Sequence, residues 1–94
     1  MDIANKIDFE ELAETLKVLG HPIRLKIVCG LLSENACVTD IYKCLSLPQA
    51  TVSQHLSLLR NKNIVKSVRQ GVKMRYKVVN EDIIKIVRAL LEAK

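Results

Sequence analysis

Residues 39–61, TDIYKCLSLPQATVSQHLSLLRN, decide the fold. Thr39 or Asp40 stands where a helix cap belongs, ahead of a short helical segment carrying Ile41 and Leu45. Leu45-Ser46-Leu47-Pro48 reads as a tight turn. Pro48 suits the first position of a second helix, where its missing N–H loses nothing. That helix is expected to reach about Arg60, with Val52, Leu56 and Leu59 on its core face, and Asn61-Lys62-Asn63 breaks it. The stretch therefore predicts a short helix and a longer one joined at a sharp turn.

Downstream the apolar period changes from helical to two. Ile64 to Arg69 reads as a strand, Gln70-Gly71 as a turn, and Val72 to Val78 as a returning strand. In the second strand Val72, Met74, Tyr76 and Val78 alternate with Lys73, Arg75 and Lys77. One buried face and one uniformly basic face are expected. Asn80 then caps a final helix from Glu81 to about Ala93, with acids in its first turn. Upstream, Asp8 and Glu11 have capping-box spacing at the start of a helix carrying Phe9, Leu12, Leu16 and Leu19. Gly20 closes it, and Pro22 opens another that runs to about Leu32. The order α-α-α-α-β-β-α is that of a winged helix-turn-helix, mainly α with a small β-hairpin (α+β). Residues 1–94 read as a single domain.

Charge divides this chain in two. Residues 1–20 hold five acids against two lysines, whereas residues 41–80 hold eight bases and no acid, within a net charge of +5. An acid-free basic half implies a polyanionic partner, although a solvated lysine-rich surface has the same composition. Only three residues are aromatic. That argues against RNA-binding sheets and single-strand grooves, which need stacking platforms. No apolar run approaches the roughly 20 residues of a membrane span. The N-terminal MDIANKIDFEEL carries acids and no apolar stretch, so no signal peptide is expected and a cytoplasmic location is. Three cysteines cannot all pair internally and are expected to be reduced there.

The expected partner is double-stranded DNA. On the helix after Pro48, Ala50, Ser53, Gln54 and Ser57 are spaced i, i+3, i+4, i+7 opposite the core stripe. Gln49 and Thr51 lie beside them at the helix N-terminus. Small polar residues allow close backbone approach to bases; Gln pairs bidentately with adenine and Ser with any base. An ordinary solvated face would carry Lys and Glu, and none occurs between Gln49 and Leu59. Backbone contacts are expected from Arg60 and Lys62 at the helix end, and from Lys66, Arg69, Gln70, Lys73, Arg75 and Lys77 of the hairpin. His55, among Val52, Leu56 and Leu59, reads as a packed or phosphate-contacting residue rather than a ligand. No nucleophile, base and pocket can be placed together, so no enzyme is expected. The alternative is a winged-helix protein-interaction module without specific DNA binding. Acids or bulky apolar residues would then interrupt the stripe.

Three blocks, LGHPIRLKIVCGLL, CVTDI and LSLPQATVSQHLSLLRNKNIVKSVRQGVKMRYKV, together resemble the ArsR/SmtB repressors over about residues 12–79. The resemblance implies a prokaryotic transcriptional repressor that is a homodimer through its first and last helices. It also implies binding to inverted repeats and release by a metal, metalloid or thiol-directed signal. The effector positions depart from the family. Metalloid-sensing members carry Cys-Val-Cys-Asp where this chain has Cys37-Val38-Thr39-Asp40. The last helix, NEDIIKIVRALLEAK, lacks the Asp and His pattern of zinc-sensing members. Cys37 and Cys44 on one helix would be separated by about 10 Å of rise, too far for both to lie ~2.3 Å from one ion. Cys29 matches the reactive cysteine of sulfide- and redox-sensing members, without the partner cysteine in the last helix. Cys29, Cys37 and Cys44 thus stand open between thiol sensing, binding of a soft metal or metalloid ion, and service as small buried apolar residues.

Overall fold

The computed structural model describes residues 7–33 and 41–93, with the backbone alone at Cys44 and Lys73. Its elements are α1 (Phe9–Leu19), α2 (Pro22–Leu32), α3 (Ile41–Cys44), α4 (Gln49–Asn61), β1 (Val65–Gln70), β2 (Lys73–Val78) and α5 (Glu81–Glu92). Side chains at three helix starts explain where those helices begin. Asp8 Oδ1 accepts the Glu11 N–H at 3.1 Å and Asn80 Oδ1 accepts the Ile83 N–H at 3.0 Å. His21 caps α2 through its ring, Nδ1 accepting the Ile23 N–H at 3.1 Å. Each such cap stabilises its helix by about 1 kcal/mol.

The turn between α3 and α4 has helix-ending geometry. The Leu45 N–H returns to the Ile41 carbonyl and the Leu47 N–H to the Tyr42 carbonyl, each at 3.0 Å, with Ser46 left-handed at φ 55°. Pro48 is extended, at φ −59° and ψ 141°, and its carbonyl accepts the Val52 N–H. It is therefore the cap residue rather than the first helical residue expected from the sequence. The expected cap at Thr39 or Asp40 lies outside the described residues. At the far end of α4 the Ile64 N–H reaches the Leu59 carbonyl at 2.9 Å, with Asn63 left-handed at φ 59°. Asn is among the residues that tolerate that conformation best, which accounts for the break at Asn61-Lys62-Asn63.

The hairpin pairs Val65 with Val78 at its base and Gln70 with Lys73 at its tip. Its two-residue loop is Gly71-Val72, one position later than the expected Gln70-Gly71. Gly71 has φ 63°, and the first central position of such a loop is where glycine relieves the strain. The expected burial of one whole face of the second strand is corrected too. Val78 is buried and Tyr76 half-buried, but Met74 is exposed and Val72 is 97% exposed in the loop. Exposure rises from the base of the hairpin to its tip, so only the base contributes to the buried core.

The core lies where α2, α4, the hairpin base and α5 converge. Ile27, Val28, Leu59, Ile64, Ile83 and Val87 are all inaccessible to solvent. Burial of side chains of this size contributes roughly 1.5–3 kcal/mol each. Outside it, Phe9 and Leu16 of α1 and Leu90 and Leu91 of α5 remain exposed. No described helix is long and apolar enough to cross a membrane.

Candidate nucleic-acid interface

Helix α4 turns Val52, Leu56 and Leu59 into the core and leaves Gln49, Ala50, Ser53, Gln54 and Ser57 exposed on the opposite side. Thr51 is half-buried, so it flanks the exposed stripe rather than belonging to it. No side chain caps α4, and its first turn holds no acid. A helix start of that kind presents free N–H groups and the positive end of the dipole to an anion.

Behind the stripe, α4 is tied to α2 through Arg24, which the sequence reading did not single out. Arg24 donates from Nε to the Val18 carbonyl at 2.6 Å, and its Nη1 lies 3.3 Å from His55 Nδ1. The His55 and His21 rings stack at a tilt, with centroids 4.6 Å apart. Because a guanidinium can only donate, His55 Nδ1 is the acceptor and its ring proton sits on Nε2. His55 therefore packs, as one of its two expected roles allowed. Burial, then the charges of His21 and Arg24, hold its pKa below the usual imidazole range. The one sequence signal for the arrangement was a histidine adjacent to the polar stripe. The Arg24 contact spans 31 positions and left no local trace.

Pairing in the hairpin sorts its cations by face. Lys66, Arg75 and Lys77 share one face with Val68 and Gln70, and Lys73 pairs opposite Gln70 at the tip. Arg69 pairs opposite Met74 on the other face. Gln70 Oε1 accepts from Arg75 Nη1 at 3.1 Å, which orients the guanidinium. Arg60 is exposed at the end of α4. Lys62, beside it, is not free: its Nζ lies 3.5 Å from Glu14 Oε1 of α1.

Among the candidate sensing residues, Cys29 is half-buried in α2 and burial pushes its thiol up from the usual range. The nucleophilic thiolate is correspondingly scarcer at neutral pH. Cys37 and the Cys44 side chain lie outside the described residues. Among the described residues no group of three or more His, Cys, Asp or Glu is placed to hold a metal ion.

An exposed, uncharged stripe on the second helix of a helix-turn-helix, followed by a basic hairpin, defines a winged helix-turn-helix DNA-binding transcriptional regulator. The family described as bacterial regulatory protein, arsR family, matches residues 21–67. The transcriptional repressor PagR of Bacillus anthracis is 42% identical over 92 residues, covering 94% of this chain and 92% of that protein. Its crystal structure superposes with a TM-score of 0.78 over 87% of this chain and 94% of PagR. An HTH-type transcriptional regulator of Methanocaldococcus jannaschii is 37% identical over 89% of this chain and 96% of its own length. A homodimeric winged helix-turn-helix DNA-binding domain from Mycobacterium bovis, 21% identical, shares the fold. Its TM-score is 0.75 over 90% of this chain and 79% of that one. This chain belongs to the arsR family.

Proposed function

We propose that this chain is a homodimeric repressor of transcription that reads an inverted-repeat operator through two copies of α4. The observation that carries the reading is the division of α4: an exposed stripe of Gln49, Ala50, Ser53, Gln54 and Ser57 without a single charge. A face kept free of Lys and Glu on a surface helix suits base edges better than water. Thr51, half-buried beside the stripe, would meet DNA only at the mouth of the groove. Arg60, Lys66, Arg69, Gln70, Lys73, Arg75 and Lys77 would contact the phosphate backbone. Lys62 would add to them once its pairing with Glu14 is exchanged for a phosphate.

Dimerisation through α1 and α5 is favoured by the exposed Phe9, Leu16, Leu90 and Leu91, and the M. bovis domain of the same fold is homodimeric. Two α4 helices would then enter successive major grooves about one helical turn apart. Cys29, with its raised pKa, fits a packing role better than a sensing one.

The test is a fluorescence-anisotropy titration with an operator duplex and a random duplex over a range of salt. Gln54→Ala should weaken operator binding by about 1–3 kcal/mol while leaving the salt slope nearly unchanged. Arg75→Ala should weaken both duplexes alike and lower the slope by about 1. Equal affinity of the wild-type protein for operator and random DNA would sink the reading.

A further inference from the structure

Between the end of α2, the hairpin and α5 lies a groove of about 530 Å³, within the ~300–1,000 Å³ typical of small-molecule sites. Leu31 and Leu32 of α2, Val68 of β1 and Ile84 of α5 line it with apolar surface; Arg75, Lys77 and Arg88 bring three cations to the same groove. Among the described residues no carboxylate lines it. The only ion pair among those residues joins Lys62 to Glu14, so none of the three cations is neutralised by a described acid.

Two details separate this groove from an incidental crevice. Val68, 43% exposed, sits between Lys66 and Gln70 and opposite Arg75 on an otherwise polar face. An apolar side chain kept in that position gives the groove an apolar wall beside its cations. Gln70 also holds the Arg75 guanidinium by a 3.1 Å hydrogen bond, which reduces the side-chain freedom lost on engaging an anion. Apolar walls with converging cations and no acid match a molecule that is apolar along its length and anionic at one end.

We propose that the groove binds a small amphiphilic carboxylate, its tail against Leu31, Val68 and Ile84 and its head group held by Arg75, Lys77 and Arg88. Binding has a consequence for regulation that rests on the function proposed above. Arg75 and Lys77 serve there as phosphate contacts, so a bound carboxylate competes with DNA for the same charges and releases the protein from it.

The binding claim is tested without DNA, by calorimetric titration of the full chain with decanoate, decanol, decyltrimethylammonium and inorganic phosphate. Decanoate should bind at one site per chain. Decanol, lacking the charge-assisted hydrogen bonds, should bind at least about tenfold more weakly, and the ammonium and inorganic phosphate should not bind measurably. Arg88→Ala lies outside the proposed DNA surface; it should weaken decanoate at least about tenfold and leave DNA affinity unchanged. Val68→Gln, a change at an exposed position, should weaken decanoate while the fold is retained by circular dichroism. No heat with decanoate, equal binding of decanol or phosphate, or wild-type affinity in Arg88→Ala would overturn the site. Decanoate is then added to the protein–operator complex. Release of DNA supports the coupling, and unchanged DNA affinity at saturating decanoate overturns it. If decanoate binds as expected but the wild-type protein fails to bind DNA, the groove stands and the repressor reading falls. If the protein discriminates operator from random DNA but takes up no decanoate, the repressor reading stands and the groove falls.

Discussion

Removal of Arg24 tests how the reading helix is held. The Val18 carbonyl lies in the last turn of α1, and the residue four positions on is Pro22, which has no N–H to offer it. Arg24 Nε fills that vacancy at 2.6 Å, and Nη1 contacts His55 on α4 at 3.3 Å. Hydrogen bonds from charged groups contribute about 1.5–3 kcal/mol. Arg24 is only half-buried, so the Val18 bond belongs at the lower end of that range, and the longer His55 contact adds about 0.5 kcal/mol. Arg24→Ala should therefore lower stability by about 2 kcal/mol, roughly 10 °C in Tm for a domain of this size. Arg24→Lys should recover less than half, because one ammonium cannot reach both acceptors. The assay is urea unfolding followed by circular dichroism at fixed protein concentration, since a dimer's stability depends on that concentration. A double-mutant cycle with His55→Ala should give a coupling of about 0.5–1 kcal/mol. A loss in Arg24→Ala below about 0.5 kcal/mol, within the scatter of ordinary surface substitutions, would show that the bridge does not hold α4. So would single-mutant effects that simply add.

The remaining predictions concern the same backbone. Burial, followed by the charges of His21 and Arg24, keeps the folded-state pKa of His55 below its unfolded value of 6.5. The folded chain thus resists a proton that the unfolded chain accepts. The stability carried by neutral His55 is complete above pH 6.5 and is lost as pH falls through and below it. The urea midpoint should accordingly drop between neutral pH and about pH 5, and His55→Gln should flatten the drop; an unchanged profile in that variant would refute the assignment. Ser46, left-handed at φ 55° in the helix-turn-helix turn, should be improved upon by glycine. Ser46→Gly is expected to raise stability by about 0.5–1 kcal/mol, the relief of strain exceeding the added unfolded-state entropy. Gly71→Ala should do the opposite, by about 1–2 kcal/mol. Since nothing lies within 4 Å of the added methyl, that loss is torsional, and Gly71→Asn should restore part of it in thermal melts.

Local signals made most of the fold legible in the sequence. Asp8, Pro22 and Asn80 mark helix starts through groups acting within three residues, and the structure has those starts where they were expected. The change of apolar period after Asn63 announced the hairpin. The errors at the turns were of one residue, and they have physical causes. Pro48 became a cap rather than the first helical residue because its ψ is extended. The hairpin loop moved to Gly71-Val72 because the glycine belongs at the first central position. Val72 and Met74 alternate as a buried face would, but alternation reports only which side a residue faces, not whether anything covers that side.

The exposed polar stripe on α4 followed from spacing alone, because a helix converts positions i, i+3, i+4 and i+7 into one face whatever its surroundings. The helix-turn-helix, the basic hairpin and the resemblance to arsR-family regulators were likewise properties of the chain as written. Tertiary structure alone decided which charges are free. Lys62 is paired to Glu14, Arg69 faces away from Arg75, and Arg24 reaches His55 across the domain. It alone gathered Arg75, Lys77 and Arg88 around an apolar groove. Such contacts join residues distant in sequence, so no window along the chain contains both partners.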